Sequence, residues 1–338
     1  MFSLHELAVP IVGAPMAGGP GTPALAAAVS NAGGLGFYAG GYLTPQKFAE
    51  GIAAARAATS GPIGVNLFVP QPSVATPAAL ARYRELLSPL AERYGVQPGM
   101  PRPDDDAWQA KLEVVADVVP EVASFTFGCT APDVLARLRD RGVLTWVTVT
   151  APDEARVAVE AGADALVVQG PGAGGHRGTF DPGATPSELP LGELLAGAKG
   201  FGVPIVAAGG LSDAVAVTGA LGRGASAVQV GTALLLADEA GTNPVHRRAL
   251  RDEQFTETVV TCAFSGRYAR GLANDFTARY DPVAPLGYPE VNQMTGPIRA
   301  AVIAAGDPHG TNLWAGTAWR DISAGPAADI VAALAATH

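Results

Sequence analysis

Cysteine is nearly absent from this chain of 338 residues, with Cys129 and Cys262 the only two. They lie far apart and offer no metal-ligand spacing, so they read as buried or free thiols of a reducing compartment. Charged residues are sparse as well, at 16%, and sum to a net −9. No run of Lys and Arg occurs, which argues against a nucleic-acid partner. No apolar stretch reaches the roughly 18 residues needed to cross a bilayer. The opening, MFSLHELAVP, lacks the basic-then-apolar pattern of a signal peptide. A soluble cytoplasmic protein without membrane or nucleic-acid partners is the expectation, and nothing in the sequence sets an oligomeric state.

What is present is apolar and rich in glycine. Hydrophobic residues make up 48% of the chain, ample for a large core, and the 42 glycines sit in short loops between periodic segments. Short β-branched runs alternate with amphipathic, Ala-rich stretches. Strands are predicted at 10–16, 35–40, 63–69, 122–128, 144–150, 165–170, 204–210 and 227–233. Their near-continuous apolar character marks strands buried on both faces, as in a parallel sheet. Helices are predicted at 23–32, 45–59, 131–141, 152–161, 190–200 and 212–223, with two more at 76–94 and 107–119 in a long segment after the third strand. Thr44-Pro45 and Ala151-Pro152 place proline at helix starts, and Ser212 is a plausible N-cap ahead of Asp213. Eight βα units favour a closed (β/α)₈ (TIM) barrel over an open doubly wound sheet.

Past about 237 the pattern changes. A helical piece (NPVHRRALRDE), an apolar run (TVVTCAF) and loop-rich sequence containing SGRYARG and YPEVNQMTGP follow. The expected organisation is a barrel over 1–237, a smaller C-terminal cap over 238–309, and a closing stretch, 310–338, that packs back on the barrel with a helix near 324–336.

In such barrels reactive groups sit at the C-terminal strand ends. Those ends hold Met16, Asn66, Gly128, Gln169, Gly209-Gly210 and Gly231-Thr232. Metal-ligand clusters and paired carboxylates are missing there, so metal-assisted hydrolysis and carboxylate acid–base catalysis lack their parts. A cofactor that carries the hard chemistry would fill the gap. A phosphate at Gly210, Gly231 and Thr232 suits glycine turns that end the last two strands, and tight turns without a ligand are the alternative. After the sixth strand comes QGPGAGGHRG. Gln169 can hydrogen-bond an amide or carbonyl edge, Gly174 and Gly175 open space for a flat ring, and His176 brings a titratable group. Structural and catalytic readings of that histidine both stand. Asn66, in GVNLF, needs polar partners from the core or from a ligand, and its place near a strand end favours the ligand. The stretch Gly13–Gly19, with Ala14 and Met16, can lie against a planar ring, or Met16 can be core filler.

These residues resemble the nitronate monooxygenases, formerly 2-nitropropane dioxygenases, and their class I branch in particular. The resemblance runs through APMAGG with TPALAAAVSNAGGLG (14–36), GVNLF (64–68), SFTFG (124–128), AGGHRG (173–178), AAGG (207–210) and QVGT (229–232). SGRYARGLAN (265–274), YPEVN (288–292) and LWAG (313–316) extend it into the C-terminal part. The resemblance implies an FMN-binding barrel with a second, smaller substrate domain. It implies FMN contacts from Asn66, Gln169, Gly174, Gly210 and the stretch Gln229, Val230, Gly231 and Thr232, to which the strand-end reading adds Ala14, Met16, Gly175 and Gly209. His176 takes the catalytic role, Tyr288 lies near the substrate entrance, and no metal is involved. One departure is Pro171-Gly172, where the family usually carries an acidic residue before AGGHRG.

The implied reaction is oxidation of an alkyl nitronate by O₂ to a carbonyl compound and nitrite. His176 would hydrogen-bond the anionic nitro group, or act as base on a neutral nitroalkane. Arg177, Arg267 and Arg270 would add positive potential or anchor loops. One rival is an FMN-dependent NAD(P)H oxidoreductase acting on quinones or enoyl thioesters, since related barrels with a similar AGGH loop do so. Another is a flavin-free barrel that binds a phosphorylated metabolite; it leaves Asn66, Gln169 and the glycine-lined region unexplained together.

Overall fold

A computed structural model describes residues 2–336. The strands of the expected barrel are β1 (Ile11–Gly13), β2 (Leu35–Ala39), β3 (Ile63–Phe68), β4 (Val122–Thr126), β5 (Leu144–Val149) and β6 (Ala165–Gln169). A two-residue strand outside the barrel, β7 (Gly175–His176), comes next, and β8 (Ile205–Ala208) and β9 (Ala227–Val230) complete the ring. All eight neighbours pair in parallel, and β9 closes on β1 through Val12 opposite Gln229. The open-sheet alternative is thereby excluded.

Around the ring run α1 (Pro23–Asn31), α2 (Pro45–Ala58), α3 (Pro77–Arg93), α4 (Trp108–Val118), α5 (Pro132–Asp140), α6 (Pro152–Ala161), α7 (Leu191–Ala198) and α8 (Ala214–Gly222). The first three share one start signal. Thr22, Thr44 and Thr76 each precede a proline and accept a hydrogen bond from the N–H three residues on, which satisfies a donor the helix cannot. The cap of α8 is Asp213, which accepts from Ala216 N at 2.8 Å, and not Ser212 as the sequence suggests. The carboxylate one residue later reaches the same turn, which frees the Ser212 hydroxyl for other use.

The barrel interior is packed, as barrel cores are. Phe37 and Trp146 lie with ring centroids 5.6 Å apart among Val12, Leu35, Val122 and Val206, and Leu4 from an N-terminal 3₁₀ turn joins this cluster. Filling the N-terminal end leaves only the C-terminal end open.

Beyond β9 lie α9 (Pro244–Ala249), β10 (Thr258–Thr261), β11 (Ala269–Leu272), α10 (Asp275–Tyr280), α11 (Glu290–Ala304) and α12 (Ala327–Ala335). The last of these packs on α1 and α8. The YPEVNQMTGP stretch, read as loop, is instead mostly the first half of α11. Gly296 and Pro297 look like breakers, but Val291, Met294, Thr295, Ile298 and Val302 form a buried helical stripe. An interior proline costs about 3 kcal/mol, a cost that burial of that stripe offsets. One carbonyl beside the proline, that of Met294, accepts from Gly99 N at 3.0 Å. The stripe packs against Tyr83, Leu87 and Ala91 of α3. A helix from between β3 and β4 therefore shares the core of the segment expected to form the cap alone.

Close packing of β2 on α1 gives a direct test. A Cβ on Gly36 would collide with the Ala26 carbonyl oxygen, whereas one on Gly200 would meet nothing within 4 Å. Gly36→Ala is expected to lose about 3 kcal/mol or more in urea unfolding, and Gly200→Ala to unfold like the parent.

Candidate active site

The open end of the barrel is a cavity of about 450 Å³. Strand register sets its floor. Asn66 of β3 lies opposite Ser124 of β4, and its Nδ2 donates to Ser124 Oγ at 2.9 Å, Ser124 O at 3.2 Å and Thr126 Oγ1 at 3.0 Å. The amide donor is thus committed to the barrel, while Oδ1 has no donor among the described residues and remains an acceptor for whatever enters. Thr126 and Thr148, with hydroxyls 3.4 Å apart, continue the polar belt towards Gln169.

Gln169 does something the sequence did not suggest. Its Nε2 donates to His176 O at 3.0 Å and its Oε1 accepts from Gly178 N at 2.9 Å. One side-chain amide thereby mimics a strand partner for the histidine segment. The other edge of that segment pairs with β11, Ala269 opposite His176 and Arg270 opposite Gly175, so His176 is held on β7. Gly175 has φ +73° with open space where a Cβ would be, so its backbone angle is what calls for glycine. At Gly174 the requirement is spatial, because a Cβ there would strike the Gly316 nitrogen.

The tautomer of His176 follows from its neighbours. Ser265 Oγ donates to Arg267 O at 3.1 Å, so towards His176 Nε2, 2.9 Å away, it accepts. The proton therefore sits on Nε2, and Nδ1 carries a lone pair with no partner among the described residues. Burial pushes the imidazole pKa down to about 3, with the charges of Arg267 and then Arg299 adding to the effect. Aromatic rings fix the plane: Phe127 at 5.5 Å, Trp314 at 5.7 Å and Tyr288 at 6.1 Å between centroids. Phe127 itself is clamped by the Arg267 guanidinium 4.1 Å above its ring.

At the ends of β8 and β9 the expected glycine turns are present. Gly209 and Gly210 both have positive φ, and a Cβ on Gly209 would lie 2.9 Å from Ala173 N. The backbone N–H groups of Gly210, Leu211, Ser212 and Gly231 donate to nothing among the described residues. Ser212 Oγ is buried without a partner as well. A cluster of unpaired N–H groups and a hydroxyl at strand ends is an anion nest. Gln229, Val230 and Thr232 line the cavity beside it, Thr232 Oγ1 accepting from Gly316 N at 2.9 Å. Ala14 and Met16 border the same space, so Met16 belongs to the cavity wall and also packs on the core.

The structure thus gathers the named strand-end residues except Gly128 around one cavity, together with Gly174, Gly175 and His176. Tyr288 stands apart: it packs on Phe127 and His176 without lining the cavity. Arg177, Arg267 and Arg270 do not line it either. Arg177 is wholly buried, donates to Ser187 O and faces Glu188; Arg267 donates to Thr179 O; Arg270 donates to Pro171 O at 3.0 Å. With Thr317 N on Gly172 O at 3.0 Å, that last contact ties down the Pro171-Gly172 departure. Sequence reading passed over Ser265, Phe127, Trp314, Arg299 and His246, and took Ser212 for a helix cap. Ser265 lay inside the SGRYARG motif, and Arg299 lay in a helix obscured by its proline. Among the described residues no trio of His, Cys, Asp and Glu is placed to hold a metal, and no helix is long and apolar enough to cross a membrane.

An anion nest, an amide belt and a neutral imidazole at the mouth of a closed parallel barrel define a cofactor-dependent enzyme of the (β/α)₈ class. Comparison with known proteins narrows the class. The chain belongs to the nitronate monooxygenase family, whose model matches residues 2–337, and that family is generally flavin-dependent. It is 40% identical to a nitronate monooxygenase of Pseudomonas aeruginosa, over 96% of this chain and 95% of the other. It is 39% identical to one of Paraburkholderia phytofirmans, over 96% and 91%. Among solved structures, nitroalkane oxidase from Streptomyces ansochromogenes superposes with a TM-score of 0.94 at 43% identity, covering 98% of this chain and 96% of that one. FabK from Thermotoga maritima superposes at 0.73 with 25% identity, covering 98% and 93%.

Two measurements check the electrostatics. Nitrogen NMR of histidine-labelled protein is expected to show His176 protonated at Nε2 alone, unchanged between pH 8 and about 5. His246 is also buried, and burial pushes its pKa down to about 4 from 6.5. Both rings stay neutral in the folded chain while the unfolded chain takes up protons, so stability should fall as pH drops from about 6.5 towards 4. His246→Asn should flatten that decline.

Proposed function

We propose that the protein binds FMN in the barrel mouth and oxidises alkyl nitronates with O₂ to a carbonyl compound and nitrite. The observation that carries this reading is His176: a neutral imidazole with a bare Nδ1 in a cavity that no carboxylate lines. Membership of the family along almost the whole chain supports it.

The residues present fit FMN. The unpaired N–H groups of Gly210, Leu211, Ser212 and Gly231, with Ser212 Oγ, would hold the phosphate. Asn66 Oδ1 would accept from the ring system, Gln169 would offer its remaining N–H, and Ala14, Met16, Gly174 and Gly175 would flank it. Gly209, Gln229, Val230 and Thr232 complete the wall. Bound there, FMN supplies the electron-transfer chemistry that no side chain in the cavity possesses.

The chain's own contribution is positioning and proton control. Towards a neutral nitroalkane the Nδ1 lone pair accepts the proton on the carbon bearing the nitro group, and Ser265 keeps the other nitrogen's proton in place. Towards a preformed nitronate no proton leaves carbon. Since Nδ1 carries no proton, the ring cannot donate to the nitro group as the sequence suggested; it only bounds the space the anion occupies. The rings of Phe127, Trp314 and Tyr288 hold the imidazole in one plane and crowd its faces. Tyr288 acts on the substrate side through His176 and not as part of the wall.

His176→Asn is expected to keep FMN while losing nitroalkane turnover about 100-fold or more, with a smaller loss on nitronates. Unchanged kinetics on both substrates would take His176 out of the mechanism. The reaction itself is tested anaerobically on the FMN-loaded protein. Flavin absorbance should bleach with ethyl nitronate and persist with NADH. Bleaching by NADH alone would instead make the protein an NAD(P)H-dependent reductase.

A further inference from the structure

Among the described residues a single Lys or Arg lines the cavity, Arg299 of α11, and no Asp or Glu lines it. Among the described residues Arg299 takes part in no ion pair. Its guanidinium is held by neutral oxygens: Nη2 donates to Asn292 Oδ1 at 2.7 Å and Asn292 O at 3.1 Å, and Nη1 donates to Asn312 Oδ1 at 3.0 Å. Nε is sealed from solvent without an acceptor. Guanidinium stays charged at any working pH. A half-buried cation that faces a cavity with no carboxylate and is held only by neutral oxygens is left to be matched by an anionic ligand.

Arg267 and Arg270 also form no ion pair among the described residues, but neither lines the cavity: Arg267 is spent on Thr179 and the Phe127 ring, and Arg270 on Pro171 O and Thr258. His176 supplies no counter-cation to an incoming anion either, because its proton is turned towards Ser265. Space exists in front of Arg299: Gly296, one turn earlier on α11, lines the cavity, and a Cβ there would meet nothing within 4 Å. Asn292 and Asn312 line it too, so the residues that aim the guanidinium belong to the same wall.

We propose that Arg299, aimed by Asn292 and Asn312, is the anion-recognition residue of the cavity and makes the enzyme prefer the nitronate anion to the neutral nitroalkane of the same skeleton. The substrate half of this statement rests on the nitronate reading above; the anion-binding half stands without it. The relatives' names include both a nitronate monooxygenase and a nitroalkane oxidase, and Arg299 is the feature of this chain that would decide between the two substrates.

The test uses FMN-loaded wild type, Arg299→Gln and Arg299→Lys. Nitrate, a planar anion that does not turn over, is titrated against the flavin spectrum, and KM is measured for ethyl nitronate and nitroethane. Arg299→Gln is expected to weaken nitrate binding and raise KM for ethyl nitronate by about 10- to 100-fold. KM for nitroethane should stay within about twofold, and Arg299→Lys should recover part of the loss. Equal nitrate affinity in wild type and Arg299→Gln, or equal losses on the two substrates, would overturn the proposal. Should Arg299→Gln fail to fold, wild type alone decides. There nitrate must bind more tightly than nitroethane and weaken as ionic strength rises, and the reverse overturns it. Wild type that releases no nitrite from ethyl nitronate yet binds nitrate through Arg299 would sink the nitronate reading and keep the anion site.

Discussion

The site hangs on one primary amide. Gln169 ends a barrel strand, and its two polar atoms grip the backbone on both sides of Arg177, so the histidine segment is carried as an extension of the barrel. The same segment is the edge strand of the small antiparallel sheet, through which β10 and β11 reach the barrel mouth. His176 therefore sits where two rigid bodies of backbone hydrogen bonding meet. A side chain placed on regular structure is held more tightly than one on a free loop. That placement is what allows Ser265, whose hydroxyl is already spent on Arg267 O, to settle which ring nitrogen carries the proton.

From this junction the two chemistries of the cavity separate. The barrel half provides fixed dipoles: an amide acceptor at Asn66 and unpaired N–H groups at the ends of β8 and β9. These are suited to a phosphorylated ligand that stays. The half bordered by α11 provides a mobile partner's requirements, with an arginine aimed by two asparagines and open room at Gly296. Neutral groups dominate both halves, so one cation weighs heavily in a poorly hydrated space.

Most of the barrel was legible because parallel strands buried on both faces write continuous apolar runs, and all eight appeared within a few residues of expectation. The glycine turns and Asn66 were legible for a related reason, since polar or glycine positions stand out against such runs. What stayed hidden depended on partners remote in sequence. Ser265 finds His176 across 89 residues. The helix α11 was masked by Gly296 and Pro297, local signals overruled by a buried stripe, and Arg299 was lost with it. Gln169 was identified as important, but its grip on His176 needs a chain reversal that spacing does not display. The Ser212 cap failed by one residue because Asp213 competes for the same turn.

The sharing of α3 with α11 has a consequence for how the chain acquires its shape. Tyr83 donates to Ala263 O at 2.7 Å, and its ring packs near Tyr280, so this core joins segments about 180 residues apart. Contacts of such separation form late, after the entropy of closing a long loop has been overcome. During synthesis α3 emerges well before its partners and must wait with an apolar face uncovered. The chain is thus a poor candidate for division into a barrel piece and a cap piece. A fragment ending near residue 237 would carry that uncovered face permanently, an invitation to self-association.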